Sequence, residues 1–343
     1  MFMKAIVLTA FGGPDVLVEQ ERPVPVPEAG DVLVRVHACG ICHHDVMHRA
    51  GKLPGAKLGV VLGHETAGEI IDVGPGVPRD VIGTRVVIYQ RRFCGHCRDC
   101  LRGRQDLCRS TSMPSVDTEG GCAEFLAIPL SSTIPLPPGM DYATGALASC
   151  PIATSLRALT EIAGMRAGDV VLITGASGGL GAHQIQIVKA LGGTAIATTT
   201  SPQKKGFLLS LGADEVVVAE DGRFGSAVWS LTAKRGVDVA IDNVGPSLPE
   251  SLRCVTFGGT CVVLGNIEAQ PVEIAPGLLI GRRITLAGSG MGTPDDVRRA
   301  LAMIAAGMVK PIISAVLPFA EIARAHQMLD NRSVQGRVVL EGW

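Results

Sequence analysis

The chain lacks an excess of charge of either sign. Its 31 Lys and Arg meet 32 Asp and Glu, a formal net charge of −1 over 343 residues, and no basic run disturbs the balance. That balance argues against nucleic acid or an anionic membrane as the main partner. The chain also lacks an apolar stretch long enough to span a bilayer. No secretion leader is expected from the opening residues. The short apolar run after Lys4 is broken early by Gly12–Gly13–Pro14, and no small-residue cleavage site follows. Lys4 to Leu8 reads instead as a first strand. Internal repeats and low-complexity tracts are absent. Ten cysteines without a leader imply reduced thiols or metal ligands in the cytoplasm, not disulfides.

What is present is enough for two domains of ordinary size with a sizeable core, since 47% of residues are hydrophobic. From Met1 to about Cys150 the pattern is mostly β, with short segments such as Val32–Val36, Ala67–Val73 and Arg85–Val87. The stretch Pro23–Val24–Pro25–Val26–Pro27 must be extended and cannot join a central strand. Near Pro151 the texture changes. Strand Asp169–Thr174, helix Leu180–Leu191, strand Thr194–Thr198 and helix Lys204–Leu211 alternate. Val216–Val218, Val237–Ile241 and Thr260–Leu264 continue the series. This is the pattern of βαβ units and a parallel sheet, so the fold class is α/β. A helix over Asp295–Ala306 and a strand over Arg337–Leu340 complete the reading.

Cys94, Cys97, Cys100 and Cys108 carry the strongest local signal, C-x2-C-x2-C-x7-C. Two-residue gaps let neighbouring thiolates converge on one ion, and the longer loop returns the fourth. Four thiolates with no open position describe a structural zinc site, with an iron–sulfur cluster as the rival.

Residues 175–181 read Gly-Ala-Ser-Gly-Gly-Leu-Gly, between a strand and a helix. Gly175, Ser177, Gly178, Gly179, Leu180 and Gly181 therefore form a candidate dinucleotide turn, where bare backbone and a helix N-terminus meet a pyrophosphate. The end of the next strand lacks the carboxylate that would bind the ribose diol of NAD. It offers Thr199, Thr200, Ser201 and Lys204, whose hydroxyls and ammonium suit a 2′-phosphate. NADP(H) is expected over NAD(H).

Three more patches hold metal-ligand residue types: Cys39-Gly40-Ile41-Cys42-His43-His44-Asp45, Gly63-His64-Glu65 and Ala148-Ser149-Cys150-Pro151. They are far apart, and spacing alone does not unite them. Cys39 and Cys42 could equally form a redox C-x-x-C pair, and Cys150 could be a plain buried thiol.

Taken in order, these motifs resemble those of the zinc-containing medium-chain dehydrogenases/reductases, the alcohol dehydrogenase superfamily, over essentially the whole chain. The resemblance implies a GroES-like catalytic domain (1–151) with a structural zinc lobe (91–109), a Rossmann NADP(H)-binding domain (152–287), and a segment returning to the catalytic domain (288–343). It implies a catalytic zinc held by Cys42, His64 and Cys150, with Glu65 beside the metal and Asp45 orienting a ligand. Thr154 would contact the nicotinamide, His43 would lie near the pyrophosphate, and Gly265 and Asn266 would line the cofactor. It also implies a homodimer or homotetramer.

The usual proton relay is missing too. A serine or threonine is expected two residues after the first zinc cysteine, and His44 stands there. The histidine expected three residues later is Met47. His44 could donate a proton itself. In finer texture the chain resembles the acryloyl-CoA reductase-like members of the superfamily. Three substrate readings follow. One is hydride transfer to an activated C=C of an α,β-unsaturated carbonyl or acyl thioester. The second is alcohol/aldehyde oxidoreduction at the same zinc. The third is cofactor binding without turnover. His37, His96, His183 and His326 read as structural or surface residues.

Overall fold

The computed structural model describes residues 1–343, and they divide into two compact units. The first comprises Met1–Ala153, Gly292–Ala305 and Ile313–Trp343; the second comprises Thr154–Met291 and Ala306–Ile312. No helix is long and apolar enough to cross a membrane.

In the first unit, β1 (Phe2–Leu8) pairs antiparallel with β2 (Leu17–Pro23), so the proline run begins where that ladder ends. The main sheet is centred on the long strand β3 (Asp31–Ile41). It is flanked by β4 (Glu65–Val73), which leads to β5 (Arg85–Ile88) and β7 (Thr133–Pro135). Strand β6 (Phe125–Pro129) also pairs with β3. On the other side of β3 lie β15 (Arg337–Glu341) and β14 (Ile313–Leu317). Val32, Val34, Ile70, Ile128 and Leu340 fill the core of this unit. β15 runs antiparallel to β3 with Val338 opposite Ile41, so Arg337 enters the sheet beside Cys42.

The second unit is a parallel sheet of six strands. In chain order they are β8 (Val170–Ile173), β9 (Thr194–Thr199), β10 (Glu215–Val218), β11 (Val237–Asp242), β12 (Val255–Val263) and β13 (Thr285–Gly288). In space they run β10-β9-β8-β11-β12-β13. That is the 3-2-1-4-5-6 order of the dinucleotide-binding fold, and it reverses direction between β8 and β11. Ligands bind outside the carboxyl ends of the strands at such a point. The α/β expectation is borne out.

Several expected boundaries move by a residue or two. Others were not visible: β2, β6, β13, β14 and the helix Ile322–Asp330. The polar string LVEQERP of β2 shows little apolar alternation, and that helix buries Ile322, Ala325 and His326, a face with little bulk. Residues 306–312 were expected to return with the C-terminal part, and they belong to the second unit. Gln186 of helix Gly181–Ala190 explains this. Its side chain donates to the Lys310 carbonyl (2.9 Å) and accepts from the Lys310 amide (2.8 Å).

The turn after β8 is shaped by its glycines. Gly175 has φ +56°, a left-handed conformation that favours glycine. A Cβ on Gly181 would lie 2.5 Å from Ala176 Cα and 2.7 Å from the Gly175 carbonyl oxygen. Gly181→Ala should therefore overpack the turn and lower stability by about 1–3 kcal/mol. Urea denaturation checks this, and an unchanged midpoint would show that the turn has room.

Candidate metal centres and dinucleotide turn

The four-cysteine loop brings its sulfurs together. Cys94 Sγ lies 3.9 Å from Cys100 Sγ and 3.7 Å from Cys108 Sγ. A tetrahedral zinc about 2.3 Å from each sulfur requires sulfurs about 3.8 Å apart, so the set fits that ion. Local backbone prepares the thiolates. The Cys97 amide points at Cys94 Sγ (3.3 Å), the Cys100 amide at Cys97 Sγ (3.5 Å) and the Cys94 amide at Cys108 Sγ (3.5 Å). The amides of His96 and Cys97 pull the Cys94 thiol down to about 6. Arg91 staples the loop: its guanidinium donates to the Asp106 carbonyl (2.9 Å) and to Thr111 Oγ1 (2.8 Å).

A second convergence lies in the same unit. Cys42, His64, Glu65 and Cys150 each offer one donor atom, and these atoms lie within 4.8 Å of one another. Two thiols, an imidazole and a carboxylate form a donor set suited to zinc. Each arrives by a different local device. Cys42 is the N-cap of helix His43–Arg49, and Asp45 at the third position returns its carboxylate to the Cys42 amide (2.9 Å). The other oxygen of Asp45 meets His64 Nδ1 at 3.2 Å, which leaves Nε2 toward the other donors. One carboxylate thus fixes both a helix start and an imidazole orientation. His64 follows Gly63, whose φ is +97°. A Cβ there would meet Cys39 Sγ at 2.6 Å and Cys122 Sγ at 2.8 Å. Gly40 faces Glu65 across the β3–β4 ladder, and a Cβ on it would strike the Glu65 carboxylate. Cys150 lies in a π-helical stretch, Ala148–Ala153, that contains Pro151. Single π turns of this kind cluster at functional sites.

The residue that sequence reasoning missed is Arg337. Its Nε donates to Glu65 Oε1 (3.1 Å), and its Nη2 reaches Cys42 Sγ (3.4 Å) and Cys150 Sγ (3.9 Å). The pair is sealed, with side-chain exposures of 7% for Arg337 and 0% for Glu65. Burial opposes its charge, yet Cys42, Glu65 and Cys150 raise its pKa. Burial raises the Glu65 pKa while Arg337 opposes the rise. The hydrogen bond from Cys150 leads in drawing the Cys42 thiol well down, with Arg337 assisting, whereas Cys150 beside it is pushed well up. No local sequence feature marks this arginine. Only the β15–β3 register brings it there.

His44 is half-buried. Its ring meets His64 edge-on, with centroids 5.2 Å apart, and its Nδ1 has no protein partner. Burial and the neighbouring His64 lower its pKa. His43 is half-buried at the first helical position. Cys39 is not drawn to Cys42. It packs under Gly63 against Cys122, sulfurs 3.9 Å apart.

In the second unit, the glycine turn opens helix Gly181–Ala190 at the carboxyl end of β8. The Leu180 amide takes no backbone acceptor, as a cradle for an anion requires. Asn243 follows β11 and exchanges two amide hydrogen bonds with Gln184 of that helix (3.0 and 2.7 Å). A Cβ on Gly265 would strike the Asn243 carbonyl, and Asn266 donates to Gln270 O (3.0 Å). The structure thus brings the turn, Gly265 and Asn266 to the same end of the sheet. Thr199 and Ser201 are tied together, the Ser201 amide donating to Thr199 Oγ1 (3.1 Å), with Thr200 exposed between them. Lys204 closes the short turn Pro202–Lys204 that follows. Thr154 is buried, its hydroxyl without a partner.

Removing Arg337 should leave Glu65 as a buried, uncompensated charge. Arg337→Leu is expected to cost about 3–5 kcal/mol, and the double variant Glu65→Gln/Arg337→Leu clearly less. Denaturant unfolding of both decides. With Glu65→Gln measured alone as well, a double-variant loss equal to the sum of the two single losses would mean that the two side chains are energetically independent.

Comparison with known proteins completes the picture. Residues 28–138 match the alcohol dehydrogenase GroES-like domain, and residues 179–306 match the zinc-binding dehydrogenase domain. An acryloyl-coenzyme A reductase of Metallosphaera sedula is 32% identical over 92% of this chain and 93% of its own length. An alcohol dehydrogenase of Geobacillus stearothermophilus is 33% identical over 99% of each chain. The crystal structure of AibC superposes with a TM-score of 0.92 at 39% identity, covering 100% of this chain and 96% of that one. Likeness on this scale runs through both units, and the chain belongs to the zinc-containing medium-chain dehydrogenase/reductase superfamily, that of the alcohol dehydrogenases.

Proposed function

We propose that this oxidoreductase reduces an activated C=C of an α,β-unsaturated carbonyl or acyl thioester with hydride from NADPH. The observation that carries the reading is His44. The position where an alcohol dehydrogenase keeps a relay hydroxyl holds a half-buried imidazole whose Nδ1 is buried without a protein partner. Carbonyl reduction needs a proton on oxygen. Reduction of an activated alkene sends hydride to the β-carbon and a proton later to the α-carbon, so it can proceed without that relay. The similarity to an acryloyl-coenzyme A reductase supports the same reading. Alcohol/aldehyde chemistry is the second reading. It is supported by the convergence of Cys42, His64, Glu65 and Cys150 and by the alcohol dehydrogenase relative.

Cys42, His64 and Cys150 would hold a zinc ion, which would supply Lewis-acid polarisation of a substrate oxygen, and a bound nicotinamide would supply the hydride. The chain's own residues prepare that chemistry. Asp45 fixes the His64 imidazole through Nδ1. Arg337 sets one positive charge against Glu65 and both sulfurs, which favours their anionic forms against the cost of burial. His44 Nδ1 is the atom we assign to proton delivery. Thr154 belongs to the nicotinamide contact, and the glycine turn with Leu180 N–H to the pyrophosphate. The four cysteines at 94–108 would hold a second, structural zinc. A cytoplasmic homodimer or homotetramer belongs to the same reading.

The deciding assay incubates zinc-loaded enzyme and NADPH with a small enal and an enoyl-CoA and resolves the products. Saturated carbonyl or acyl product is expected, and formation of alcohols alone would overturn the reading. In the same assay His44→Ala should lower kcat by about 100-fold, with NADPH affinity near that of the parent. Unchanged turnover would remove His44 from proton delivery.

Cofactor choice is tested separately. We place the 2′-phosphate of NADPH at Thr199, Thr200, Ser201 and Lys204, a stretch of sequence that contains no carboxylate. Lys204→Ala should raise KM for NADPH about tenfold, roughly the loss of one charged contact, and leave KM for NADH unchanged. Equal or better kcat/KM with NADH in the parent enzyme would refute the preference.

A further inference from the structure

His183 has no role in the site as described so far. It sits in helix Gly181–Ala190, fully buried, two residues past the end of the glycine turn. Its Nε2 faces the backbone N–H of Ile312 at 2.9 Å, and its Nδ1 faces the carbonyl oxygen of Gly179 at 2.5 Å. An N–H can only donate, so Nε2 must accept. The ring proton then lies on Nδ1, where a carbonyl receives it. Both contacts are satisfied by one neutral tautomer.

The Gly179 contact is unusual for a helix start. The carbonyl of Gly179 would ordinarily accept the backbone N–H four residues on, which belongs to His183. That N–H instead bonds the Leu180 carbonyl at 3.0 Å. The side chain of His183 therefore takes over the carbonyl that its own amide has left. The Gly179–Leu180 peptide is planar and trans, so its C=O and N–H point in opposite directions. Holding the Gly179 carbonyl inward fixes the Leu180 N–H outward, and that N–H has no backbone acceptor.

On its other edge the ring holds residues 306–312. Ile312 N–H bonds His183, and Gln186, three residues along the same helix face, bonds both backbone groups of Lys310. The chain leaves the second unit for β14 directly after this segment.

We infer that His183 is a positioning residue for the dinucleotide: it aims the Leu180 N–H at the pyrophosphate and, through its other nitrogen, ties that peptide's orientation to segment 306–312. The inference rests on the reading of residues 175–181 as the NADPH turn. Two amide side chains separate the two edges of the ring. In His183→Asn the amide nitrogen stands near Nδ1 and retains the donor to Gly179. In His183→Gln the amide oxygen stands near Nε2 and retains the acceptor for Ile312.

The test measures NADPH binding to the full-length, zinc-loaded protein by fluorescence titration, and amide hydrogen exchange across 306–312. His183→Asn should bind NADPH within about threefold of the parent while 306–312 exchanges faster. His183→Gln should weaken NADPH binding by about five- to tenfold, the worth of one hydrogen bond, while 306–312 stays protected. Saturating kcat should change little in either. Equal NADPH affinity in both variants, or weaker binding in Asn than in Gln, would overturn the inference. A parent protein that binds neither NADPH nor NADH would instead refute the turn's assignment, and the inference with it.

Discussion

The buried ion pair between Arg337 and Glu65 is the interaction on which the candidate catalytic centre depends. Two thiols, two carboxylates and an imidazole are packed together, and all but Cys42 are buried. Anionic groups repel one another strongly in such surroundings. Arg337 touches Glu65, Cys42 and Cys150 at once, so one guanidinium lets three of these groups share a small volume. The geometry follows from strand register. Glu65 opens β4 opposite Gly40, and Arg337 opens β15 next to the end of β3. A shift of one residue in either ladder would turn the partner to the opposite face.

Small residues complete the arrangement. Gly40 leaves room for the Glu65 carboxylate, and Gly63 lets the chain pass over Cys39 and Cys122 into His64. In the second unit Gly175 and Gly181 let strand and helix close on the turn. The candidate metal centre and the glycine turn are thus built by the same means, backbone brought closer than a Cβ would allow. The two differ in charge. The first collects negative groups and one cation, while the second presents neutral amides at a helix start.

Much of this was legible in the sequence. Alternating apolar strands and helical segments after residue 151 point to a parallel sheet because buried parallel strands read as continuous apolar runs. The cysteines at 94–108 are close in sequence, so spacing alone implies convergence. Cys42, His64 and Cys150 were united only by the order of family motifs, since no periodicity spans such gaps. Arg337 and His183 were not legible. An arginine opening a strand looks like an ordinary edge residue, and a histidine in an apolar helix looks like core. Each acquires its role from a partner distant in sequence, 272 residues away for Glu65 and 129 for Ile312.

That separation bears on how the protein is made. Closing a loop of 272 residues costs about 5 kcal/mol of chain entropy, which β15 recovers only once it pairs with β3. Cys42, His64, Glu65 and Cys150 emerge from the ribosome long before the guanidinium that neutralises them. Until β15 arrives, Cys42 and Cys150 lack the cation that lowers their pKa values, so fewer of them are thiolates, the form that binds metal and reacts with peroxide. The reactivity of those two sulfurs therefore waits on the last strand of the chain.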